Sequence, residues 1–247
     1  MTNMKVLISK KTGNYYYYNG VGEYHCKEGF LTEEQLHSGE NLVKNSKDRE
    51  FLIFESNKHD QFQKIKRGPQ IITEKDLGYI MARSGIDKTS SIVEAGGGSG
   101  GATTFFGRIC DKVHTYEIRE DHCKIIQSNI DKFGLDNVTL THGDLAENIE
   151  SMDKNSLDLL FLDMPEPNMV LEKNIDAVKS GRYVICYLPN VSQMIEVTKL
   201  IAEKQNLYVE EITEVQTRHW RVWERVSRPE FRSEQDFTAF LMFLRKL

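Results

Sequence analysis

The chain has 247 residues, 39% of them hydrophobic and 28% charged, with a formal net charge of −5. This length and apolar content can support a sizeable core over more than one domain, and the negative charge excludes a protein whose whole surface attracts nucleic acid. No stretch approaches the roughly 20 apolar residues of a membrane span, and four scattered cysteines without a signal-peptide pattern favour a reduced, cytoplasmic protein.

Residues 1–62 are predicted to form a small N-terminal β domain. The four consecutive tyrosines in this domain could stack on bases or pack in a small barrel, and packing is favoured because alternate side chains of a strand point to opposite faces. A polar, basic connector at 59–69 leads into a second domain, assigned to 63–247. The strand-like runs of the first domain, separated by Gly-Asn and Asn-Gly turns, lie at 5–9, 15–18 and 51–55.

The second domain alternates helices and strands in the manner of a doubly wound α/β sheet. A helix is predicted from Thr73, as its N-cap, to Ser84. Two strands at the end of the chain have no helix between them and suit an antiparallel closing hairpin, which would complete the Rossmann-like, seven-stranded sheet common to class I methyltransferases. After the strand that begins at Ser91, strands are predicted at 113–118, 137–142, 157–163, 182–188, 207–215 and 237–245, and helices at 101–110, 120–133, 169–179 and 191–205.

A glycine-rich loop follows the first strand of this sheet. Residues 92–100 read I-V-E-A-G-G-G-S-G, and Gly96, Gly98 and Gly100 allow the backbone to turn with positive φ and to approach a ligand closely. By itself such a loop is also compatible with a plain tight turn.

Four strands of this domain bring a carboxylate to their C-terminal ends, namely Glu94, Glu117, Asp144 and Asp163. Since the C-terminal ends of parallel strands meet at one edge of a sheet, these groups should surround one site. They suit S-adenosyl-L-methionine, which carries an ammonium, a sulfonium, ribose hydroxyls and an amine, whereas a dinucleotide needs a cradle for its pyrophosphate. The sequence therefore favours S-adenosyl-L-methionine as cofactor, and a dehydrogenase is a distant alternative.

Five motifs together resemble the tRNA (adenine-N1)-methyltransferases that act at position 58, in particular the archaeal branch that can also modify the neighbouring adenine at position 57. The resemblance covers essentially the whole chain and implies a tRNA substrate and a homotetramer. Asn168 stands where relatives typically have a tryptophan, Phe237 where they commonly have a histidine, and Thr73 where an aromatic residue or histidine is frequent. The motifs are K-R-G-P-Q-I-I-T-E-K-D at 66–76, V-E-A-G-G-G-S-G at 93–100, Y-E-I-R at 116–119, D-M-P-E-P at 163–167 and T-A-F-L at 238–241.

Asp163 is the candidate catalytic residue, because a carboxylate that accepts from the N6–H of adenine increases electron density at N1 and can take the proton after alkylation. The alternative is that Asp163 only caps the following turn. In the cofactor site, Glu94 is assigned to the ammonium, Glu117 to the ribose hydroxyls and Asp144 to the adenine amine, and the last two could instead be solvated strand ends. The remaining residues assigned to the cofactor are Gln70, Gly96, Gly98, Ser99, Gly100 and Asp163.

Two basic clusters are candidates for RNA binding, since phosphates attract cations and aromatic rings stack on extruded bases. The second cluster could instead be a surface helix whose arginines are balanced by Glu224 and Glu230. Histidines show no metal-ligand spacing, so no metal is expected. Two other functions stay open, a non-catalytic RNA-binding subunit and a methyltransferase for a small molecule or a protein. The clusters are Lys64, Lys66 and Arg67, and then Arg218, Arg221, Arg225, Arg228 and Arg232 with His219, Trp220 and Trp223.

Overall fold

The structure is a computed structural model that describes residues 4–222, 226–229 and 237–247. The chain divides into two compact units, Met1–Ile65 and Lys66–Leu247. The division lies close to the boundary after residue 62 that we placed from the sequence.

In its described residues the first unit contains six short strands and two short helices. Its elements are β1 Lys5–Ser9, β2 Tyr15–Tyr18, β3 Tyr24–Cys26, β4 Gly29–Leu31, α1 Glu33–His37, β5 Leu42–Lys44, β6 Glu50–Glu55 and α2 Lys58–Gln63. An antiparallel sheet has the order β2-β1-β6-β5, and β3 and β4 form a separate hairpin. Leu7, Tyr18 and Phe51 are buried in its core, whereas Tyr15 is 60% exposed, so the tyrosine run is divided between two faces as a period of two requires.

The helix α2 occupies part of the segment that we predicted to be a polar connector. The Asn57 side chain accepts a hydrogen bond from the backbone N–H of Asp60, and the Asp60 side chain accepts one from the N–H of Asn57. This reciprocal capping box stabilises the first turn of a helix. Because the segment is mostly polar, its composition hides the helix, and the Asn-x-x-Asp spacing was the available signal.

The second unit is an α/β sheet. Its elements are α3 Glu74–Ser84, β7 Ser91–Ala95, α4 Gly101–Gly107, β8 Lys112–Glu117, α5 Glu120–Phe133, β9 Val138–His142, α6 Leu145–Asn148, a 3-10 turn Ile149–Ser151, β10 Leu157–Leu162, α7 Asn168–Leu171, β11 Val178–Leu188, α8 Val191–Glu203, β12 Leu207–Thr213, β13 Trp220–Val222, β14 Ser227–Pro229 and β15 Phe240–Lys246.

Seven strands of this unit form one sheet in the order β12-β15-β11-β10-β7-β8-β9. Strands β7 to β11 run parallel, and β15 is antiparallel to both β11 and β12. The Rossmann-like sheet and its closing hairpin are therefore confirmed. Every side chain of the central strand β10 is buried, as is usual for a parallel strand covered on both faces. No helix in the described part of the chain is long and apolar enough to cross a bilayer.

The prediction of a helix at 169–179 is wrong. The chain forms only the single turn α7 in this region, and β11 already begins at Val178. Ile175 and Val178 are fully buried and continue the spacing of a helix, which explains the prediction. However, the Asn174 side chain accepts a hydrogen bond from the N–H of Asp176 at 3.0 Å, and such local bonds compete with helix formation.

Candidate active site

A cavity of about 430 Å³ opens at the C-terminal ends of β7, β8, β9 and β10. In doubly wound sheets this edge is where ligands bind. The structure therefore brings three of the four predicted strand-end acids to one cavity, together with three other residues assigned to the cofactor. Those that line it are Gln70, Gly96, Gly98, Glu117, Asp144 and Asp163, and those that do not are Glu94, Ser99 and Gly100.

Two glycines allow the loop after β7 to approach the neighbouring strands. Gly96 has a φ of +86°, and a Cβ at this position would lie 1.7 Å from the backbone oxygen of Asp163, so a larger residue requires the end of β10 to move. Gly98 has a φ of +56°, and its N–H donates a hydrogen bond to Glu117 Oε2 at 2.8 Å. The loop thus contacts the ends of both β8 and β10.

Glu94 lies beneath the cavity lining and is 1% exposed. Its Oε2 accepts a hydrogen bond from the Thr103 hydroxyl at 2.6 Å. Burial raises the pKa of Glu94 to about 7; the bond from Thr103 opposes this rise and the negative charge of Glu117 adds to it. The contact with the ammonium of the cofactor, assigned to Glu94 from the sequence, stays a prediction.

Ser99 does not line the cavity, but its hydroxyl fixes the backbone of the segment that precedes Gln70. Its hydroxyl accepts a hydrogen bond from the N–H of Gly68 at 2.9 Å and donates one to the carbonyl of Pro69 at 2.8 Å. Gly100, with a φ of +76°, is the N-cap residue of α4. Both residues shape the loop, and their direct contact with a cofactor stays a prediction.

Backbone groups fix the carboxylates of Glu117 and Asp144. Glu117 is 5% exposed, and its Oε1 accepts from the N–H of Arg119 at 2.9 Å while its Oε2 accepts from Gly98. Asp144 Oδ1 accepts from the N–H of Ala146 at 2.8 Å and caps α6. Neither group is therefore a merely solvated strand end, since each is held in one orientation at the cavity.

Asp163 lines the cavity directly after β10. Burial, together with the negative charges of Glu94 and Glu117, raises the pKa of its carboxyl to about 7. Within the described residues no group donates a hydrogen bond to this carboxylate, so the structure does not support the alternative that Asp163 caps the following turn. A partly buried acid that faces a cavity with a strongly raised pKa is typical of functional sites.

Further residues that were not predicted from the sequence also line the cavity. Three of them directly follow predicted strand-end acids, and this adjacency was the available signal. Ile118 is 68% exposed and offers an apolar surface beside Glu117, and His122 Nδ1 lies 3.5 Å from Glu117 Oε2. The additional lining residues include Ile118, Arg119, His122, Leu145 and Met164.

The carboxylates at the cavity suit a cationic ligand with hydroxyl and amine groups. Carboxylates accept hydrogen bonds from such groups, and a cation relieves the mutual repulsion of Glu94, Glu117 and Asp163. Gly96 and Gly98 line the cavity without side chains, which gives a ligand close access to their backbone. In the described ranges, no group of three or more histidine, cysteine or acidic side chains could hold a metal ion.

The predicted RNA-binding residues near the connector are exposed lysines and an arginine. Lys64 belongs to the first unit, and its ammonium lies 4.4 Å from the centre of the Tyr17 ring. Lys66 and Arg67 are exposed in the second unit. The amide of Asn129 bonds to both the N–H and the carbonyl of Lys66, each at 2.9 Å, so the backbone that carries these cations is fixed to α5.

The second basic cluster lies between β12 and β15, partly in the hairpin of β13 and β14. Arg218 is exposed, and its guanidinium lies 5.7 Å from the centre of the Trp220 ring. Arg221 pairs with Arg228 across the hairpin, so the alternative of a surface helix is wrong for these residues. The Arg221 side chain and residues Trp223, Glu224, Arg225, Glu230 and Arg232 lie outside the described residues.

A seven-stranded sheet with an antiparallel closing strand, a glycine-rich loop and acids at successive strand ends defines a class I, S-adenosyl-L-methionine-dependent methyltransferase fold. Within this class the chain belongs to the family described as tRNA methyltransferase complex GCD14 subunit, whose model matches residues 62–236.

Named relatives cover most of the chain. The tRNA (adenine(58)-N(1))-methyltransferase TrmI of Thermus thermophilus is 30% identical over 231 residues, covering 91% of this chain and 89% of the relative. The Methanocaldococcus jannaschii enzyme, named for adenines 57 and 58, is 28% identical, with coverages of 81% and 80%.

Solved structures agree over the full length. The tRNA (m1A58) methyltransferase TrmI of Aquifex aeolicus has a TM-score of 0.84 at 25% identity and covers 99% of this chain and 96% of its own. An S-adenosyl-L-methionine-dependent O-methyltransferase of Thermotoga maritima has a TM-score of 0.87 at 25% identity, with coverages of 100% and 93%.

Proposed function

We propose that this chain transfers a methyl group from S-adenosyl-L-methionine to N1 of adenine in the T-loop region of tRNA, at position 58, with position 57 as an additional or alternative target. The observation that carries the proposal is the Asp163 carboxylate, which lines the cavity with a raised pKa and without a hydrogen-bond donor in the described residues. Membership of the family and the names of its relatives support tRNA as the substrate.

The cavity residues hold the methyl donor through groups that the structure already orients. Glu117 accepts hydrogen bonds from the ribose hydroxyls, and Asp144 accepts from the adenine amine. Gly96 and Gly98 leave room for the methionine portion, and Gln70 closes over it. When bound, the donor supplies an electrophilic methyl group on its sulfonium.

Asp163 prepares the target base. Adenine N1 is a weak nucleophile because the exocyclic amine donates electrons into the delocalised ring. By accepting a hydrogen bond from N6–H, Asp163 raises the electron density at N1, and it takes the N6 proton once N1 is alkylated. Since its pKa is raised towards neutrality, Asp163 is a stronger base than an ordinary aspartate.

The tRNA approaches through cations outside the cavity. Arg67 and Lys66 supply charges that attract phosphates, as does Arg218, and Lys64 and Arg221 share this role on grounds of sequence. N1 of a paired adenine is occupied by its partner base, so the target has to leave its stack, which costs a few kcal/mol. The sequence resemblance leads us to propose further that the enzyme is a homotetramer that acts in the cytoplasm.

The test is methylation of a tRNA transcript, mapped by primer extension and mass spectrometry. Wild type should modify a transcript with adenine at position 58, and modification there should disappear when the base is guanine. Asp163→Ala should lower the single-turnover rate, measured at saturating donor so that a change in donor affinity does not contribute, about 10²- to 10⁴-fold, the usual contribution of a positioned acid–base group. The matched control is Asp153→Ala, which changes an exposed aspartate outside the cavity.

Each other result points elsewhere. If Asp163→Ala retains activity within about threefold of wild type, well below that range, then Asp163 is structural. Comparable rates on free adenosine would favour a small-molecule substrate. Donor binding or tRNA binding without methylation by wild type would favour a non-catalytic RNA-binding subunit.

A further inference from the structure

Three surface turns of the first unit meet at one buried carboxylate. The turns join β1 to β2, β3 to β4 and β5 to β6, and they comprise residues 10–14, 27–28 and 45–49. Glu28, in the second turn, is 5% exposed. Its carboxylate accepts hydrogen bonds from the hydroxyls of Ser9 at 2.8 Å, Thr12 at 2.7 Å and Tyr16 at 2.9 Å. Arg49 Nη1 lies 3.5 Å from the same carboxylate, so side chains of the first and third turns both contact the second.

A buried asparagine fixes the second turn to the third. Asn45 is 6% exposed, and its Nδ2 donates a hydrogen bond to the carbonyl of Glu28 at 2.8 Å. Its Oδ1 accepts from the N–H groups of Lys47 at 3.0 Å and Arg49 at 3.1 Å. Gly29 allows this close approach, because its φ is +129° and a Cβ there would lie 2.7 Å from Asn45 Nδ2. Because satisfied buried polar groups hold their surroundings in one arrangement, the three turns are fixed relative to one another.

The three turns carry an excess of positive charge. Each acid in them, and the acid that directly follows the third turn, has a cation as its partner. The pairs are Glu28 with Arg49, Asp48 with Lys44 and Glu50 with Lys10. Lys11, Lys27 and Lys47 are exposed, and none of them forms an ion pair with any residue that the structure describes. Each turn therefore presents one uncompensated lysine, on a chain whose net charge is −5.

Two exposed rings lie beside the second turn. His25 and Phe30 are partners across the hairpin of β3 and β4, and their rings stack with centroids 5.3 Å apart and an angle of 29° between the planes. The His25 side chain is 69% exposed and Phe30 is 37% exposed. RNA is bound through this combination of groups, because unpaired bases stack on aromatic rings while phosphates contact neighbouring cations. The rings therefore favour RNA over an acidic protein as the partner.

We propose that Lys11, Lys27 and Lys47, together with the ring pair of His25 and Phe30, form a further tRNA-binding surface, which we call the turn surface. Its lysines contact phosphates of the tRNA backbone, and an unpaired base stacks on its rings. The inference rests on the proposed tRNA methylation and adds to it a contact that the first unit makes with the substrate.

Replacing the three lysines together by glutamine removes their charges and keeps most of the side-chain length. At 0.15 M salt the tRNA dissociation constant should rise about 25- to 125-fold, because each phosphate contact contributes about fivefold there and two or three are lost. The slope of log affinity against log salt should fall by about 1.8–2.7. Arginine at the same three positions keeps the charges, so affinity should stay within about threefold of wild type, less than the share of one contact.

The matched control replaces three exposed lysines of the second unit, Lys88, Lys173 and Lys199, by glutamine. It changes the net charge equally, and its tRNA affinity should stay within about threefold of wild type, which separates local contacts from overall charge. In the turn-surface variant, the single-turnover rate at saturating tRNA and the donor affinity measured by calorimetry should match those of wild type, since none of its three lysines lines the methyl-transfer cavity.

His25→Ala tests the stacked base. It should raise the tRNA dissociation constant at least about fivefold, the lower limit for one base stacked on an aromatic ring. His37→Ala removes another exposed histidine of the first unit and should leave the affinity unchanged. An effect of the three lysines without an effect of His25→Ala would overturn the base contact.

The remaining outcomes separate this inference from the proposed function. If the turn-surface variant binds tRNA within about twofold of wild type, the lysines serve another polyanion and the inference is overturned while the proposed function stands. Equal losses in the turn-surface variant and the matched control would reduce the effect to overall charge and overturn it as well. Failure of wild type to bind tRNA would overturn both, and it is recognised without any variant.

Discussion

Binding of the methyl donor should release a proton from Asp163, so donor affinity should rise with pH. The pKa of the Asp163 carboxyl is raised to about 7 in the free protein, and a bound cation favours the ionised form. At pH 6 about one site in eleven is ionised, compared with about half at pH 7. If only the ionised form binds well, affinity should be about fivefold higher at pH 7 than at pH 6.

A second carboxyl can steepen this dependence. The pKa of Glu94 is also raised to about 7, and if both groups ionise on binding, the change between pH 6 and pH 7 grows to about 30-fold. This interval lies below the ordinary pKa of an α-amino group, about 7.7–8.0, so the amine of the ligand stays charged throughout and does not contribute.

Isothermal titration calorimetry in two buffers with different ionisation enthalpies measures both the affinity and the number of protons released. Asp163→Asn should reduce the change in donor affinity between pH 6 and pH 7 by about fivefold, the share of one carboxyl. The control Asp153→Asn should leave this change as it is in wild type. The reasoning is refuted if wild-type affinity changes by less than about twofold between pH 6 and pH 7, or if Asp163→Asn retains the full dependence.

Three other predictions concern the cofactor site, the glycine-rich loop and the contacts with tRNA. Glu117→Ala should weaken donor binding by about 1.5–3 kcal/mol, the range for hydrogen bonds to a charged group, and equal affinity in calorimetry would remove Glu117 from the site. Gly96→Ala should lower the free energy of unfolding by clearly more than Gly134→Ala, for which strain from positive φ, about 1–2 kcal/mol, is the main cost because nothing lies within 4 Å of a Cβ there. Comparable denaturation midpoints for the two would contradict the collision at Gly96. Replacing Arg218 and Arg221 together by Ala should weaken tRNA binding and reduce the slope of log affinity against log salt by about 1.8; an unchanged slope would show that neither touches a phosphate.

Local patterns in the sequence were enough to predict the class of fold and the edge of the sheet at which the site lies. Strand and helix periods are local properties, so the closing hairpin and the helix α5 could be predicted from neighbouring residues. The positions of Glu117, Asp144 and Asp163 at strand ends were enough to place them at one cavity, because parallel strands share the edge where they end.

The roles of individual residues within that edge depended on contacts between distant parts of the chain. No local pattern shows that a Cβ at Gly96 would meet the backbone of Asp163, or that burial and two neighbouring charges raise the pKa of that acid. The prediction of a helix at 169–179 failed for a local reason instead, because the Asn174 side chain accepts a hydrogen bond from the N–H of Asp176.

The hydrogen bonds that the Lys75 ammonium donates show the same limit over a greater distance. The acceptors on Val215 and Thr238 lie 140 and 163 positions away in the sequence. Periodicity describes which face of an element is buried, but it does not specify which polar groups meet once the elements pack. Those pairings are decided by tertiary structure, because a buried donor or acceptor must find its partner wherever the fold brings one within hydrogen-bonding distance.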